Sequence, residues 1–223
     1  MKRLIIAIDG PSGAGKGTIA RMLAEALGYR HIDTGAMYRA VGWKANFERI
    51  PLDDERAVAD LAQRATLAVE GGVVSVDGQD VTRAIRTPEI DRAATAVARL
   101  PRVRQILVAR QRTFGEAGGI VMEGRDIGTV VFPDADLKIY LDASAEERAR
   151  RRAGDTAHTG GQAGQEAVAA SIAARDESDT TRIVSPLTVA GDAVHIDTTG
   201  MPIHQVVDTV MELVRQKTHP RSG

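Results

Sequence analysis

The sequence contains no cysteine. That excludes disulfides, a thiol nucleophile and a thiolate metal site. It has no long apolar run, and nothing approaches the ~20 residues of a membrane-spanning helix. Met1-Lys2-Arg3 before Leu4–Ile8 has the charge order of a signal peptide. The apolar run stops at Asp9, however, short of the ~7–15 residues such a segment needs. Net charge is small, −1 over 223 residues, so bulk electrostatics give no pull toward nucleic acid or an anionic membrane. The five histidines are scattered without metal-ligand spacing. There is no internal repeat and no low-complexity linker. A cytoplasmic, soluble protein is expected, a monomer with no nucleic-acid or membrane partner, and long enough to bury a real core.

Glycine, in contrast, is concentrated in one place. Leu4 to Ile8 reads as a buried strand that breaks at Asp9-Gly10. Gly10, Gly13, Gly15 and Gly17 crowd the next eight positions, and Lys16 follows Gly15. A helical period then starts at once, with Ile19, Met22, Leu23, Ala26 and Leu27. Gly-x4-Gly-Lys between a strand and a helix is a phosphate loop. Backbone N–H groups can wrap a polyphosphate only where no Cβ blocks the approach. The helix N-terminus adds free N–H groups and its dipole, and Lys16 adds a mobile point charge for the β/γ oxygens. Gly10, Pro11, Ser12, Gly13, Ala14, Gly15, Lys16, Gly17 and Thr18 form this candidate site. The residue after Lys16 is Gly17, and the hydroxyl comes one place later, at Thr18. Gly-Lys-Gly-Thr resembles the nucleoside monophosphate kinases more than GTPases or ATPase motors, and it weakens the case for a loop hydroxyl bound directly to metal.

Further along, Tyr29–Asp33 reads as a second strand and Asp33-Thr34-Gly35 opens a helix, with Thr34 as its cap. Helices are expected over about 53–65, from Pro88 to about Ala98, and from Pro101 to about Phe114. Residues 66–82 carry Gly71-Gly72 and Asp77-Gly78 between β-branched runs and predict a small antiparallel meander, an insertion in an alternating strand–helix chain. Ile120–Met122, Leu137–Asp142 and Val194–Asp197 supply three more core strands. Ser144 with Glu147 forms a capping box, residues 153–165 are small and glycine-rich, and Ile203 to Val214 carry a helical stripe. Five short apolar strands separated by helices imply a parallel sheet covered on both faces. Ligands of such sheets gather at the strands' carboxyl ends, where Asp9, Asp33, Gly124–Asp126 and Asp142 all fall.

Charge is clustered although it is balanced overall. Arg99, Arg102, Arg104, Arg110 and Arg112 share a stretch without an acid, and Arg148 and Arg150–Arg152 form a second group. Arginine forks match phosphate oxygens two at a time; the plainer reading makes most of them solvated helix faces. Arg39 and Arg125 stand at positions that point toward the cleft. Arg175, Asp179 and Arg182 share one helical face, either a surface ion-pair ladder or a lid hinge that presents arginines to phosphates. Asp142 ends a strand and is either near a metal ion or a helix cap. Asp9 either hydrogen-bonds loop amides or takes part in chemistry. No set of protein side chains is assigned as a metal site.

These residues carry a close resemblance to the bacterial cytidylate (CMP/dCMP) kinases over nearly the whole chain. It rests on Ile8–Thr18, Asp33-Thr-Gly-Ala-Met-Tyr-Arg39, Ile85-Arg-Thr-Pro-Glu-Ile90, Pro101-Arg-Val-Arg104, Glu123-Gly-Arg-Asp-Ile-Gly-Thr-Val-Val-Phe-Pro-Asp-Ala135 and Arg175-Asp-x-x-Asp-x-x-Arg182. The resemblance implies an α/β P-loop three-layer fold with a five-stranded parallel sheet. It also implies a core of 1–33, 119–152 and 183–223, an inserted monophosphate-binding lobe over 34–118 that contains the meander, and a lid with its flanks over 153–182. It implies Mg²⁺ and ATP as phosphoryl donor, CMP and dCMP as acceptors, and the loop 10–18 as the ATP-phosphate site. Tyr38, Arg39 and Arg125 would meet the acceptor phosphate, while Thr95, Arg104 and Asp126 would read the cytosine edge. Arg175 and Asp179 would meet the acceptor sugar, and Arg182 the transferring phosphate; Lys16, Arg125 and Arg182 would be the catalytic residues. Two departures stand out. Residues 153–165 of the lid lack arginine and aromatics, so any lid contribution to ATP binding must come from its flanks, and Thr95 stands where serine is expected. The alternatives are a P-loop kinase for UMP or a shikimate-like acceptor, and a non-catalytic regulator that binds RNA through residues 99–112.

Overall fold

A computed structural model describes residues 3–155 and 164–218. Its strands are β1 (Ile5–Asp9), β2 (Arg30–Asp33), β3 (Leu67–Glu70), β4 (Val73–Val76), β5 (Gln79–Asp80), β6 (Ile120–Gly124), β7 (Leu137–Asp142) and β8 (Val194–Asp197). Its helices are α1 (Lys16–Leu27), α2 (Thr34–Phe47), α3 (Glu55–Arg64), α4 (Pro88–Val97), α5 (Pro101–Gly115), α6 (Ala145–Ala153), α7 (Gln165–Thr181) and α8 (Ile203–Thr218).

The main sheet has five strands in the order β2-β6-β1-β7-β8. Every pairing in it is parallel, which accounts for the continuous apolar runs of β1 and β6: both faces must be covered. On one face Ile19 and Leu23 of α1 and Val206, Val210 and Val214 of α8 pack against Ile6, Ile8 and Leu141. On the other, Ala7, Ile32 and Met122 meet Val108 of α5 and Ile127 and Val131. A third cluster joins α2, α3, α4 and α5 to the meander through Val41, Leu61, Val76, Val97 and Leu107. The meander is the antiparallel sheet β3-β4-β5. The α/β architecture with its parallel five-stranded sheet and small antiparallel insertion is therefore as expected.

Local chemistry departs from expectation in four places. Thr34 does not cap α2. Asp33 does, accepting the Ala36 N–H at 3.0 Å, because Thr34 Oγ1 is drawn to the Glu123 carbonyl on the neighbouring strand at 2.7 Å. The capping box of α6 is half made: Ser144 accepts from Glu147 N, but the Glu147 carboxylate turns to Arg150 and Arg151. After β6 the chain makes a single π-helical turn, Ile127–Val131, which no sequence pattern suggested. Asp9 binds that turn rather than the loop that follows it, accepting from Ile127 N at 2.8 Å and Gly128 N at 2.7 Å. Residues 156–163 of the expected lid lie outside the described residues.

Candidate active site

The carboxyl ends of β1, β2 and β6 open into one cleft of about 960 Å³. At its donor end lies the glycine-rich loop. Gly10 has φ +149°, and a Cβ there would sit 2.0 Å from the Leu141 carbonyl oxygen, so only glycine lets the loop leave β1 beside β7. Ser12 to Thr18 line the cleft, and α1 begins at Lys16, so its first N–H groups face that end. Gly17 has its own reason. A Cβ at that position would lie 3.0 Å from Glu123 Oε1, and Glu123 is in turn held by His31 Nε2 at 3.1 Å.

Lys16 Nζ donates to the Pro11 carbonyl at 2.7 Å. Burial lowers its pKa to about 7, and the nearby Arg125 guanidinium adds to the effect. A bound polyphosphate brings negative charge against Nζ and returns the pKa toward its ordinary value. The sign follows: above pH 7 the empty site holds a neutral amine and the filled site an ammonium. Binding of preformed Mg-ATP is expected to take up nearly one proton at pH 8.5 and almost none at pH 6. Calorimetry in buffers of different ionisation enthalpy measures this; uptake that does not change with pH contradicts it.

The opposite wall is built from α2, α4, α5, the end of β6 and α7. Arg104 pairs with Asp126, both buried, and its guanidinium lies 5.5 Å from the Tyr38 ring centroid. Arg182 Nη2 stands 3.6 Å from the same Asp126 carboxylate. Arg125 Nε donates to Asp179 at 2.8 Å. Burial disfavours the Arg125 charge, yet Asp179 more than offsets it and holds the pKa above its usual value. The Asp179 carboxyl goes the other way: burial would raise it, but Arg125, Arg175 and Arg182 together hold it low. Arg39 is anchored to Asp33 at 2.7 Å. Burial and the charge of Arg125 bring Arg175 down to about 10.

Hydrogen-bonding capacity is left over in this wall. Tyr38 Oη, Arg39 Nε, Arg104 Nε, Arg175 Nε and Arg182 Nη2 are buried without a hydrogen-bond partner. Burial pushes the Tyr38 phenol up to about 12, so it stays a donor at neutral pH. Donors rarely go unused in a folded interior, and five in one wall suit an anionic, multiply accepting ligand.

Of the residues singled out from the sequence, Ser12 to Thr18, Tyr38, Arg39, Thr95, Arg104, Arg125, Asp126, Arg175, Asp179 and Arg182 all line this cleft. Gly10 and Pro11 shape the loop from behind. Thr95 Oγ1 donates to the Asp91 carbonyl within its own helix. Asp179 and Arg182 are 6% and 5% exposed, so they are not a solvated ladder, and Arg182 lies just past the end of α7. Asp142 is not among the lining residues; its carboxylate accepts from Ala143 N at 2.8 Å. Ser144, not Asp142, caps α6. In the 99–112 stretch, Arg110 and Arg112 spend their donors on main-chain carbonyls. Nothing in the sequence singles out Asp91, which pairs with both Arg152 and Arg175. Asp176, although it stands in the 175–182 motif, is given no role there, whereas it reaches the loop. Asp91 is a single polar residue on a helix, and nothing local sets it apart from a solvated one; for Asp176 the motif is local but its partner is not.

The fold and the loop define a P-loop kinase. Among solved structures, a shikimate kinase from Acinetobacter baumannii shares the fold at TM-score 0.50 and 15% identity, covering 99% of this chain and 96% of that one. The cytidylate kinase family model matches residues 6–216, and the chain belongs to that family. Curated relatives named cytidylate kinase include one from Desulforamulus reducens, 50% identical over 95% of this chain and 96% of its own length. Another, from Desulfitobacterium hafniense, is 48% identical over 97% and 94%, and one from Bacillus subtilis is 47% identical over 97% and 99%.

Proposed function

We propose that the chain transfers the γ-phosphoryl group of ATP to CMP and dCMP, giving CDP and dCDP. The observation that carries this reading is the Arg104–Asp126 pair, buried in the cleft wall across from the phosphate loop. Cytosine presents an amino donor beside two acceptors, N3 and O2. A carboxylate accepts from the amino group while a guanidinium donates to the acceptors, with Thr95 alongside. UMP carries a carbonyl in place of that amino group and would face Asp126 with an unsatisfied, repelling pair. Tyr38, Arg39 and Arg125 would take the acceptor phosphate, Arg175 and Asp179 the sugar. On this reading residues 34–118 act as the monophosphate-binding lobe, and 153–182 supply the lid and its flanks.

An acceptor phosphate oxygen attacks Pγ in line. The bond from Pγ to the β,γ-bridging oxygen breaks, and its electron pair leaves on ADP. The acceptor phosphate is already largely ionised at pH 7, so no general base is needed. Lys16 and Arg182 stabilise the charge that spreads over the equatorial oxygens, and Arg125 holds the nucleophile in place. Among the described residues, no three His, Asp, Glu or Cys side chains are grouped to hold a metal. The cleft offers Glu123 beside Gly17, and the Thr18 hydroxyl. One carboxylate and one hydroxyl suit a hard cation that rides on nucleotide phosphates and keeps most of its water. When bound there, Mg²⁺ supplies charge neutralisation to the phosphates.

No described helix is long and apolar enough to cross a membrane; a cytoplasmic monomer is the state in which this activity is proposed. A panel of CMP, dCMP, UMP and shikimate in an ADP-release assay tests the acceptor. kcat/KM should be highest for the cytidine nucleotides, and preference for UMP or shikimate would overturn the reading.

A further inference from the structure

Asp176 lies on α7, one residue after Arg175. Its Oδ1 accepts the main-chain N–H of Ser12 at 3.1 Å. Its Oδ2 is bound by Arg148 Nη1, which also donates to the Ser12 carbonyl at 3.1 Å. Both main-chain polar atoms of Ser12 are thus held by one ion pair, whose members come from α7 and α6. Arg148 is itself fixed, its Nε donating to the Ala143 carbonyl at 3.0 Å. The loop presses directly on this pair: Gly13 has φ +80°, and a Cβ there would come within 2.9 Å of the Arg148 Cβ. The two side chains are only 12% and 19% exposed, so the attraction is less screened than at a surface.

The same helix reaches the other end of the cleft. Asp179, one turn after Asp176, receives Arg125 at 2.8 Å and lies 3.7 Å from Arg182. Arg175 lines the cleft and touches Asp91 of α4 at 3.4 Å. A helix transmits displacement along its length because its backbone hydrogen bonds hold successive turns together. One rigid element therefore grips the phosphate loop by Asp176 and the opposite wall by Asp179.

We propose that Asp176, acting through Arg148 and Ser12, is a positioning residue that couples the donor and acceptor sites. Filling the loop sets α7 so that Arg125, Asp179 and Arg182 are placed for the acceptor. This rests on reading the loop as the ATP site and the opposite wall as the CMP site. A merely structural brace would change stability while leaving the effect of one ligand on the other intact, so coupling is the quantity to read.

The test titrates CMP into the full chain, alone and with the Mg complex of a non-hydrolysable ATP analogue. In the unaltered protein the analogue should raise CMP affinity at least about fivefold, the low end of ordinary coupling. Asp176→Ala should leave CMP binding alone within about twofold and reduce the rise to less than about twofold. Arg148→Gln should reproduce the loss, and the double variant should lose no more than either single one, because both break the same link. Asp176→Asn keeps an acceptor for Ser12 but not the charge for Arg148, so it should retain an intermediate coupling; with Arg148→Gln it decides the question if Asp176→Ala fails to fold. Full coupling in the folded variants overturns the proposal, as does CMP affinity indifferent to the analogue in the unaltered protein. A chain that binds no CMP at all overturns the acceptor assignment, and the coupling with it.

Discussion

Lys16→Met is expected to lower kcat for CMP phosphorylation by about 10³-fold, the order lost when a charge aimed at a transferring phosphoryl group is removed. The side chain is buried at the mouth of α1, and its amine has one neutral partner, the Pro11 carbonyl at 2.7 Å. In the empty protein that position is unfavourable for a cation, which is why burial brings the pKa down to about 7. Methionine keeps the length and apolar stem without the charge. The folded protein should therefore be no less stable, with Tm unchanged or raised near pH 6, where the buried ammonium is most costly. Activity and stability move in opposite directions for one substitution, the mark of a residue held under strain for function. A Tm drop of several degrees with kcat little changed would show Lys16 to be structural. kcat/KM should fall further than kcat, because the ammonium holds the phosphates of bound ATP as well as the transferring group.

The second large effect falls on specificity. Asp126→Asn is expected to lower kcat/KM for CMP by about 10²-fold, from roughly 3 kcal/mol of lost charge-assisted hydrogen bonding. It should bring CMP and UMP to within about tenfold of each other. The asparagine amide can donate to the uracil carbonyl that a carboxylate repels, so UMP gains while CMP loses. Alanine is a poorer test. Arg104 and Arg182 face Asp126 from two sides, and emptying the position would strand two buried guanidinium groups at about 3–5 kcal/mol of stability. Asparagine preserves shape and one acceptor but not the charge that faces Arg104 and Arg182. Tm should therefore fall, though less than for alanine, and a change in base preference in a variant that still folds isolates recognition. Undiminished preference for CMP in a folded Asp126→Asn chain would remove Asp126 from base reading.

Legibility followed the range of the forces involved. β1, the loop and α1 were readable because strand burial, glycine spacing and helical period are local and adjacent. The central strands β1 and β6 were readable because a strand covered on both faces reads as an apolar run; the edge strands β2 and β8 each bury a single isoleucine and were placed by their position between helices. The caps were less so. Asp33 and Thr34 are chemically equivalent candidates, and the choice between them was made by the Glu123 carbonyl, 89 positions away. The π-helical turn at 127–131 follows the same logic. Ile-Gly-Thr-Val-Val has β-forming composition, and Asp9 overrides it by binding two of its amides from β1. Most of the site residues assigned in advance lay within motifs, Thr95 excepted. Asp91 could not be collected in this way, and Asp176 could be collected with its motif but not given its role, since their partners, Arg152 and Ser12, are remote in the chain. Gly17 is an oddity of the loop in sequence; its cause, the Glu123 carboxylate oxygen 3.0 Å from where a Cβ would stand, is visible only in three dimensions.

The central claim is that the loop and the Arg104–Asp126 wall bring an ATP γ-phosphoryl group and a cytidine monophosphate together for direct transfer. A single-turnover experiment with γ-labelled ATP, Mg²⁺ and CMP, resolved by product, tests this most directly. The label should appear in the β-phosphate of CDP, one for each ADP formed, with no burst of inorganic phosphate. Label released as inorganic phosphate at the same rate with and without CMP would contradict it.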